Sequence, residues 1–311
     1  MIDIIIPAYN SHDYIKNALR SIAIQSKIDS INVYLVDDCS DKGYSEEIKE
    51  FKDTMNIVEL RTPQNGGPGL ARQYGLDNSS GDYVVFLDSD DILSGSFSIE
   101  DMINSIDDND VLITSFVETV DDINYMHYEN TVWMHGKMYR REFLKNKNIC
   151  FNNSSSNEDS GFNALVYMCT DKIKYVDMVT YVWKYNANSI TRRNNNEFEF
   201  SGLQGFINNI CWAIKEAEKR NADENKVARV TYESILEIYF NYVKYYNDDN
   251  KKLLLDWSKE LKELYYKYKD KLLEDTKNDC EYKIINKGIG IAGNDAILKN
   301  RLSFYDFIEL I

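Results

Sequence analysis

The chain has 311 residues, 43% hydrophobic and 28% charged, with a formal net charge of -15. That apolar content over that length supports two domains, or one large domain with an appendage, and excludes a disordered chain. No run approaches the roughly 18 to 20 apolar residues that span a bilayer, and no segment is a basic stripe able to capture nucleic acid.

Ile2–Pro7 is an apolar, β-branched run ended by Pro, which predicts a strand buried on both faces. Ser11–Gln25 sets Tyr14, Ile15, Ala18, Leu19 and Ile22 at helical spacing, with Ser11 as the cap. Ile31–Val36 reads as a second buried strand and stops at Asp37-Asp38-Cys39-Ser40. A helix over Ser45–Lys52 and a third strand over Asn56–Arg61 follow. The stretch Pro63–Gly69 is a turn that opens a helix over Leu70–Asn78, and Tyr83–Leu87 is a fourth buried strand closed by Asp88-Ser89-Asp90-Asp91. Short alternating β and α units predict a parallel, doubly wound sheet, whose ligands lie outside the carboxyl ends of its strands. Three of those ends carry Asn10, Asp37 with Asp38, and Asp88 with Asp90, so the site is expected there.

Beyond residue 111 the strands shorten (Val111–Val117, Lys174–Val182). Residues 202–276 read as three helices, Leu203–Arg220, Glu224–Asn247 and Lys251–Glu274, with Lys/Glu-rich outer faces; an oligomer surface is a natural use for them. The five cysteines (Cys39, Cys150, Cys169, Cys211, Cys280) are scattered and suit free thiols in a reducing compartment. With three histidines, a His-rich metal site is not expected. The segment Gly288–Gly293 matches GxGxxG without room for a βαβ unit after it and reads as part of a turn-rich tail, 286–311. The opening MIDIIIPAYN does not read as a secretory leader.

Asp88-Ser89-Asp90 places two carboxylates at i and i+2 on a turn after a buried strand. Such a pair suits Mg²⁺ or Mn²⁺, which take one or two carboxylates, waters and the oxygens of a diphosphate. Taken alone, the same three letters also fit a solvated turn. Acidic excess is heaviest in residues 1–100, with 8 Lys+Arg against 17 Asp+Glu, so a cation is the means by which this half would hold phosphate.

Taken together, IIIPAYN, VDDCS, NGGPGLARQYG and GDYVVFLDSDD, continued by WMHGKMYRREFL (133–144), SNEDSGFNALV (156–166) and YVWKYNANSITR (181–192), closely resemble the family 2 glycosyltransferases. The resemblance covers roughly the first 195 residues. It implies an α/β chain of GT-A fold: a Rossmann-like, mostly parallel sheet with flanking helices over 1–200, a helical acceptor or oligomer region over 201–285, and the tail. It further implies that Pro7, Ala8, Tyr9 and Asn10 line the nucleotide, with Asp37 and Asp38 at the base. Arg72, set by the glycine turn that includes Gly67, would approach the phosphates. Asp88 and Ser89 would face the ribose, Asp90 with Asp88 would hold Mn²⁺ or Mg²⁺, and Arg192 would close over the diphosphate. Asp159, with Glu158 beside it, matches the catalytic base; the bland alternative is an acidic helix start. Trp133 and Trp183 read as core, with sugar stacking as the alternative.

The implied reaction is one-step displacement with inversion. The acceptor hydroxyl loses its proton to a carboxylate as it attacks the anomeric carbon, while charge growing on the leaving diphosphate is stabilised. The donor is a nucleotide-diphosphate sugar, a UDP-sugar first. The acceptor is a cell-surface or capsular glycan, with protein, teichoic acid and modified phage DNA as alternatives; naked nucleic acid sits badly with the net charge. A cytoplasmic location, peripheral to the membrane, follows from the same reading. The competing class is a degenerate nucleotide-sugar-binding scaffold, against which Asp88, Asp90 and Asp159 stand intact. One departure is visible: Asn186 stands near the position where many relatives carry a metal-binding His.

Overall fold

The computed structural model describes residues 1–121, 123–154, 156–186, 200, 202–244, 248–280, 282 and 304–311. β1 (Ile2–Ala8) is buried throughout and β2 (Ile31–Asp37) almost so, because helices cover both faces and such strands need apolar side chains at every position. With β3 (Asn56–Arg61) and β4 (Tyr83–Phe86) they form a parallel array in the order β3-β2-β1-β4. The crossovers run through α1 (Ile15–Ala23), α2 (Ser45–Ile48) and α3 (Pro68–Asp77), as parallel neighbours require.

β5 (Ile92–Leu93) leads to α4 (Ser98–Ile106), and then to β6 (Val111–Val120), β7 (Ile123–His127) and β8 (Lys137–Arg140). α5 (Arg141–Asn146) and α6 (Glu158–Cys169) precede β9 (Ile173–Lys184). β8 inserts antiparallel between β4 and β6, whereas β9 runs parallel to β6, so the full order is β3-β2-β1-β4-β8-β6-β9-β5 with β7 on the outer half of β6. Three long helices follow: α7 (Gly202–Lys219), α8 (Glu224–Lys244) and α9 (Asp248–Tyr268).

Alternation along the strands splits the core in two. Ile4, Ile6, Val33, Leu35 and Leu87 pack with Leu19 and Ile22 of α1 and Met102 of α4. Ile5, Val36 and Phe86 face the other way, toward Ala71 of α3, Phe162 of α6 and onward to Ile207, Ile210 and Ile238 of the long helices. The second core therefore runs without a break from the sheet into the C-terminal helices.

Local details depart from the sequence expectation for identifiable reasons. Ser11 is not a side-chain cap: its carbonyl takes the N–H groups of Tyr14 and Ile15 (both 3.0 Å), while its hydroxyl pairs with Tyr44 Oη at 3.0 Å, and α1 starts four residues later. The helix expected over Ser45–Lys52 is split, with a 3₁₀ turn over Lys49–Phe51. The helix expected to reach Glu274 stops at Tyr268 and continues as a 3₁₀ turn, Lys269–Lys271. Within the expected tail, Phe304–Leu310 is helical and Phe307 is fully buried; the GxGxxG segment lies outside the described residues.

Phe86, at the carboxyl end of β4, touches Tyr139, Phe151 and Phe162 at ring-centroid distances of 5.9, 5.5 and 5.9 Å. It couples the strand that leads into Asp88 to the helix that begins at Glu158. Phe86→Ala is expected to cost about 3–5 kcal/mol, as such core truncations do, measured by urea unfolding.

Candidate active site

The carboxyl ends of β1, β2 and β4 meet at one edge of the sheet, where polar side chains build each chain reversal. Asn10, in the left-handed region at φ 49, donates its backbone N–H to Ser40 Oγ (2.9 Å) and its side chain bonds with Asp41. Asp37 accepts from the Ser40 N–H (2.8 Å) and from the Arg61 guanidinium. Asp38, only 2% exposed, accepts from the N–H groups of Gly66 (3.1 Å) and Gly67 (2.7 Å) and from the Thr62 hydroxyl (2.8 Å). Asp38 thereby holds the glycine turn that leads into α3. Gly67, at φ 85, is the residue there that a side chain would strain.

One turn into α3, Arg72 is 5% exposed and forks between two carboxylates. Nη1 donates to Glu158 Oε1 at 2.6 Å and Nη2 to Asp88 Oδ1 at 2.5 Å. Burial alone would favour its neutral form, but Asp88 and Glu158 hold it firmly charged. Glu158 fits because Gly69 leaves room: a Cβ at Gly69 would meet Glu158 Cγ at 2.6 Å.

The turn after β4 concentrates negative charge. Burial would raise the Asp88 carboxyl, yet Arg72 and His135 keep it well below its ordinary range. Asp90 is pushed up by burial and by Asp88, and its Oδ2 accepts from Asn186 Nδ2 at 2.7 Å. Asp91, 1% exposed, is raised by burial and by both neighbouring aspartates; it accepts from Tyr181 Oη (2.5 Å) and the Lys184 N–H (2.8 Å). His135 Nε2 lies 3.7 Å from Asp88 and 3.8 Å from Asp91. Potential ligand atoms of Asp88, Asp91 and His135 fall within 4.8 Å of one another. Hard carboxylate oxygens that raise one another's proton affinity, with one imidazole, fit a divalent cation.

Asp159 sits in the first turn of α6, its Oδ1 accepting from the Ser160 N–H at 2.8 Å. Burial, and then the adjacent Glu158 carboxylate, push its carboxyl up to about 7 against the pull of Arg72. That range suits a group that takes a proton near neutral pH.

Of the residues expected to bind the donor, Pro7 and Ala8 are buried in β1 while Tyr9 and Asn10 stand exposed at the edge. Asp37 and Asp38 turn inward to hold the loops, and Gly67, Asp88 and Ser89 are half-buried at the rim. Arg72 meets two carboxylates of the chain itself, and Arg192 lies outside the described residues. Four further residues were not anticipated: Thr62, Asp91, His135 and Lys137. His135 and Lys137 stand inside WMHGKMYRREFL, but neither has a spacing that marks a role. Lys137 is fully buried, its ammonium held by the carbonyls of Trp133 and His135 and pulled down to about 7 by burial. It thereby clamps the turn that carries His135.

Residues 3–157, from β1 to the start of α6, match the model of "Glycosyl transferase family 2". The chain belongs to glycosyltransferase family 2. Among its family relatives, "Glycosyltransferase GlyA" of Streptococcus pneumoniae serotype 4 is 26% identical over 225 residues, covering 61% of this chain and 31% of that protein. "Poly(ribitol-phosphate) beta-N-acetylglucosaminyltransferase TarS" of Staphylococcus aureus (strain Mu50) is 28% identical over 199 residues, 58% of this chain and 35% of that one. The chain thus spans about a third of the length of these curated relatives. The crystal structure of S. aureus TarS 1-349 in complex with UDP-GlcNAc superposes with a TM-score of 0.70 at 21% identity, covering 85% of this chain and 81% of that one. The likeness extends the GT-A fold into the C-terminal helices.

Arg72→Ala leaves Glu158 and Asp88 without a counter-charge. A loss of about 3–5 kcal/mol is expected by urea unfolding, and the double variant Arg72→Met/Glu158→Leu should recover much of it, since neither buried charge then remains.

Proposed function

We propose that this family 2 chain is an inverting glycosyltransferase that moves a sugar from a UDP-sugar to a hydroxyl of a cell-surface glycan. One observation carries the reading. A single buried guanidinium ties the Asp88–Asp91 turn to Glu158, and beside Glu158 stands Asp159, its carboxyl raised to about 7. Donor-side charge and a proton acceptor are thereby fixed relative to each other before any substrate arrives.

In this reading Tyr9 and Asn10 flank the nucleotide, and Asp88 and Asp90, with Asp91 and His135 clustered beside Asp88, would hold Mn²⁺ or Mg²⁺. The bound cation would supply charge stabilisation to the departing diphosphate. Asp159 Oδ orients the acceptor hydroxyl and takes its proton; Glu158 and Arg72 keep Asp159 in position and set its proton affinity. The matches to TarS and GlyA, both named as sugar-transferring enzymes, support sugar transfer, and the UDP-GlcNAc held by TarS supports a UDP-sugar donor. Among the described residues no helix is long and apolar enough to cross a membrane, and all five cysteines are free thiols, which suits a reducing, cytoplasmic setting.

The base must be ionised to act, so kcat/KM should climb with pH and level off above about 7, read by nucleotide release between about pH 5.5 and 8.5. Asp159→Asn is expected to lower turnover by roughly 10²–10⁴ while UDP still raises its Tm. Failure of Asp159→Asn to bind UDP would break the assignment of that residue to proton transfer.

UDP with Mn²⁺ should stabilise the protein by about 2.7 kcal/mol at a hundredfold excess over Kd. EDTA or Asp90→Asn should remove most of that shift in thermal unfolding. A Tm that nucleotide raises, without release of nucleotide from any UDP-, GDP-, TDP- or CDP-sugar, would return the reading to a nucleotide-sugar-binding scaffold; a Tm that no nucleotide moves would overturn both readings.

A further inference from the structure

Beyond the donor-side aspartates, the sheet carries an aromatic ribbon that donor chemistry does not use. In the strand register Phe116 lies between Tyr181 and His127, and Glu118 lies between Trp183 and Tyr125; residues directly paired across strands project from one face. The inner end touches the site: Tyr181 Oη donates to Asp91 (2.5 Å), and His135 stacks on Tyr181 with ring centroids 4.7 Å apart. From there the rings continue outward. His135 meets Trp183 at 5.2 Å, Trp183 meets Trp133 at 5.2 Å, and Trp133 meets His127 at 5.4 Å. At the outer end Tyr125 is 49% exposed, beside Glu118, whose Oε2 lies 2.9 Å from His127 Nε2.

The charge of this ribbon selects its occupant. Residues 111–134 contain no Lys or Arg and carry Glu118, Asp121, Asp122 and Glu129. Aromatic faces offer flat, negatively polarised platforms that suit the C–H faces of pyranose rings, and carboxylates accept hydrogen bonds from hydroxyls. A polyanion placed here would meet like charge with no cation from this segment to answer it.

We infer that the ribbon from Trp183 and Trp133 to Tyr125 and Glu118 is the acceptor subsite, and that its occupant is an uncharged, phosphate-free glycan. The inference rests on the glycosyltransferase reading above and names its acceptor class. It also separates this chain from its relative TarS, whose name specifies poly(ribitol-phosphate).

Saturation-transfer NMR on the full chain, with cellopentaose, maltopentaose and chitopentaose in one arm and a ribitol-phosphate oligomer in the other, tests it. At least one neutral oligosaccharide should bind and the phosphate oligomer should not. Tyr125 is half-exposed, so Tyr125→Ala should fold as the parent does and weaken that binding about tenfold; Glu118→Gln is the second, milder probe. In transfer assays the same variants should raise the acceptor KM and leave the donor KM at the parent value.

Preference for the phosphate oligomer, absence of binding by every neutral oligosaccharide, or unchanged affinity in both variants would each overturn the inference while UDP binding still upheld the donor site. A self-association that Tyr125→Ala dissolves, seen by sedimentation with no glycan bound, would instead make the ribbon a dimer surface. Loss of UDP binding by the parent protein would count against the glycosyltransferase reading itself.

Discussion

The fork of Arg72 between Asp88 and Glu158 is the interaction on which the rest of the site depends. Two of the three charges are deeply buried, and a buried ion is tolerable only when it is paired and hydrogen-bonded. The arrangement joins three separate elements: the turn after β4, the second turn of α3 and the start of α6. Each supplies one partner, so none can shift without uncovering a charge. Asp159 inherits its position from this triangle, and its proton affinity is raised first by burial and then by Glu158, against the pull of Arg72.

The polar architecture around it follows the same economy. The backbone N–H groups of Gly66 and Gly67, in the turn before α3, point at Asp38 of the chain itself, and Arg61 answers Asp37. The strand ends are therefore already satisfied, and what remains open at the rim is Tyr9, Asn10 and the half-buried Asp88, Ser89 and Asp90. A site edge built in this way is shaped by internal bonds and needs little ordering when a ligand binds.

Much of this was legible in the residues. Continuous apolar runs in β1 and β2 marked buried parallel strands, and the acidic punctuation after them marked the site edge, because a strand covered on both faces leaves only its ends for polar chemistry. The span of β3 follows directly from its pattern. Less legible was whatever depends on partners far away in sequence. Asp38 reads as a ligand-facing carboxylate until Gly66 and Gly67 fold back onto it. Arg72 reads as phosphate-facing until Glu158 arrives from 86 residues away. His135 gives no signal at all, since a lone histidine becomes informative only when β8 inserts beside β4 and brings it beneath Asp88. The Ser11 cap failed for a similar reason: Tyr44 claims its hydroxyl.

The unbroken core between the sheet and the C-terminal helices has a consequence for how this chain can be divided. Phe162 and Leu165 of α6 are covered by α7 residues such as Ile207 and Ile210, so the helix that carries Asp159 has no solvent-ready back. A fragment ending near residue 200 would present that apolar surface to water and aggregate or recruit a substitute cover. Grafting this catalytic half onto another C-terminal region is then a problem of matching a helix face. The natural unit of exchange is the sheet together with α7.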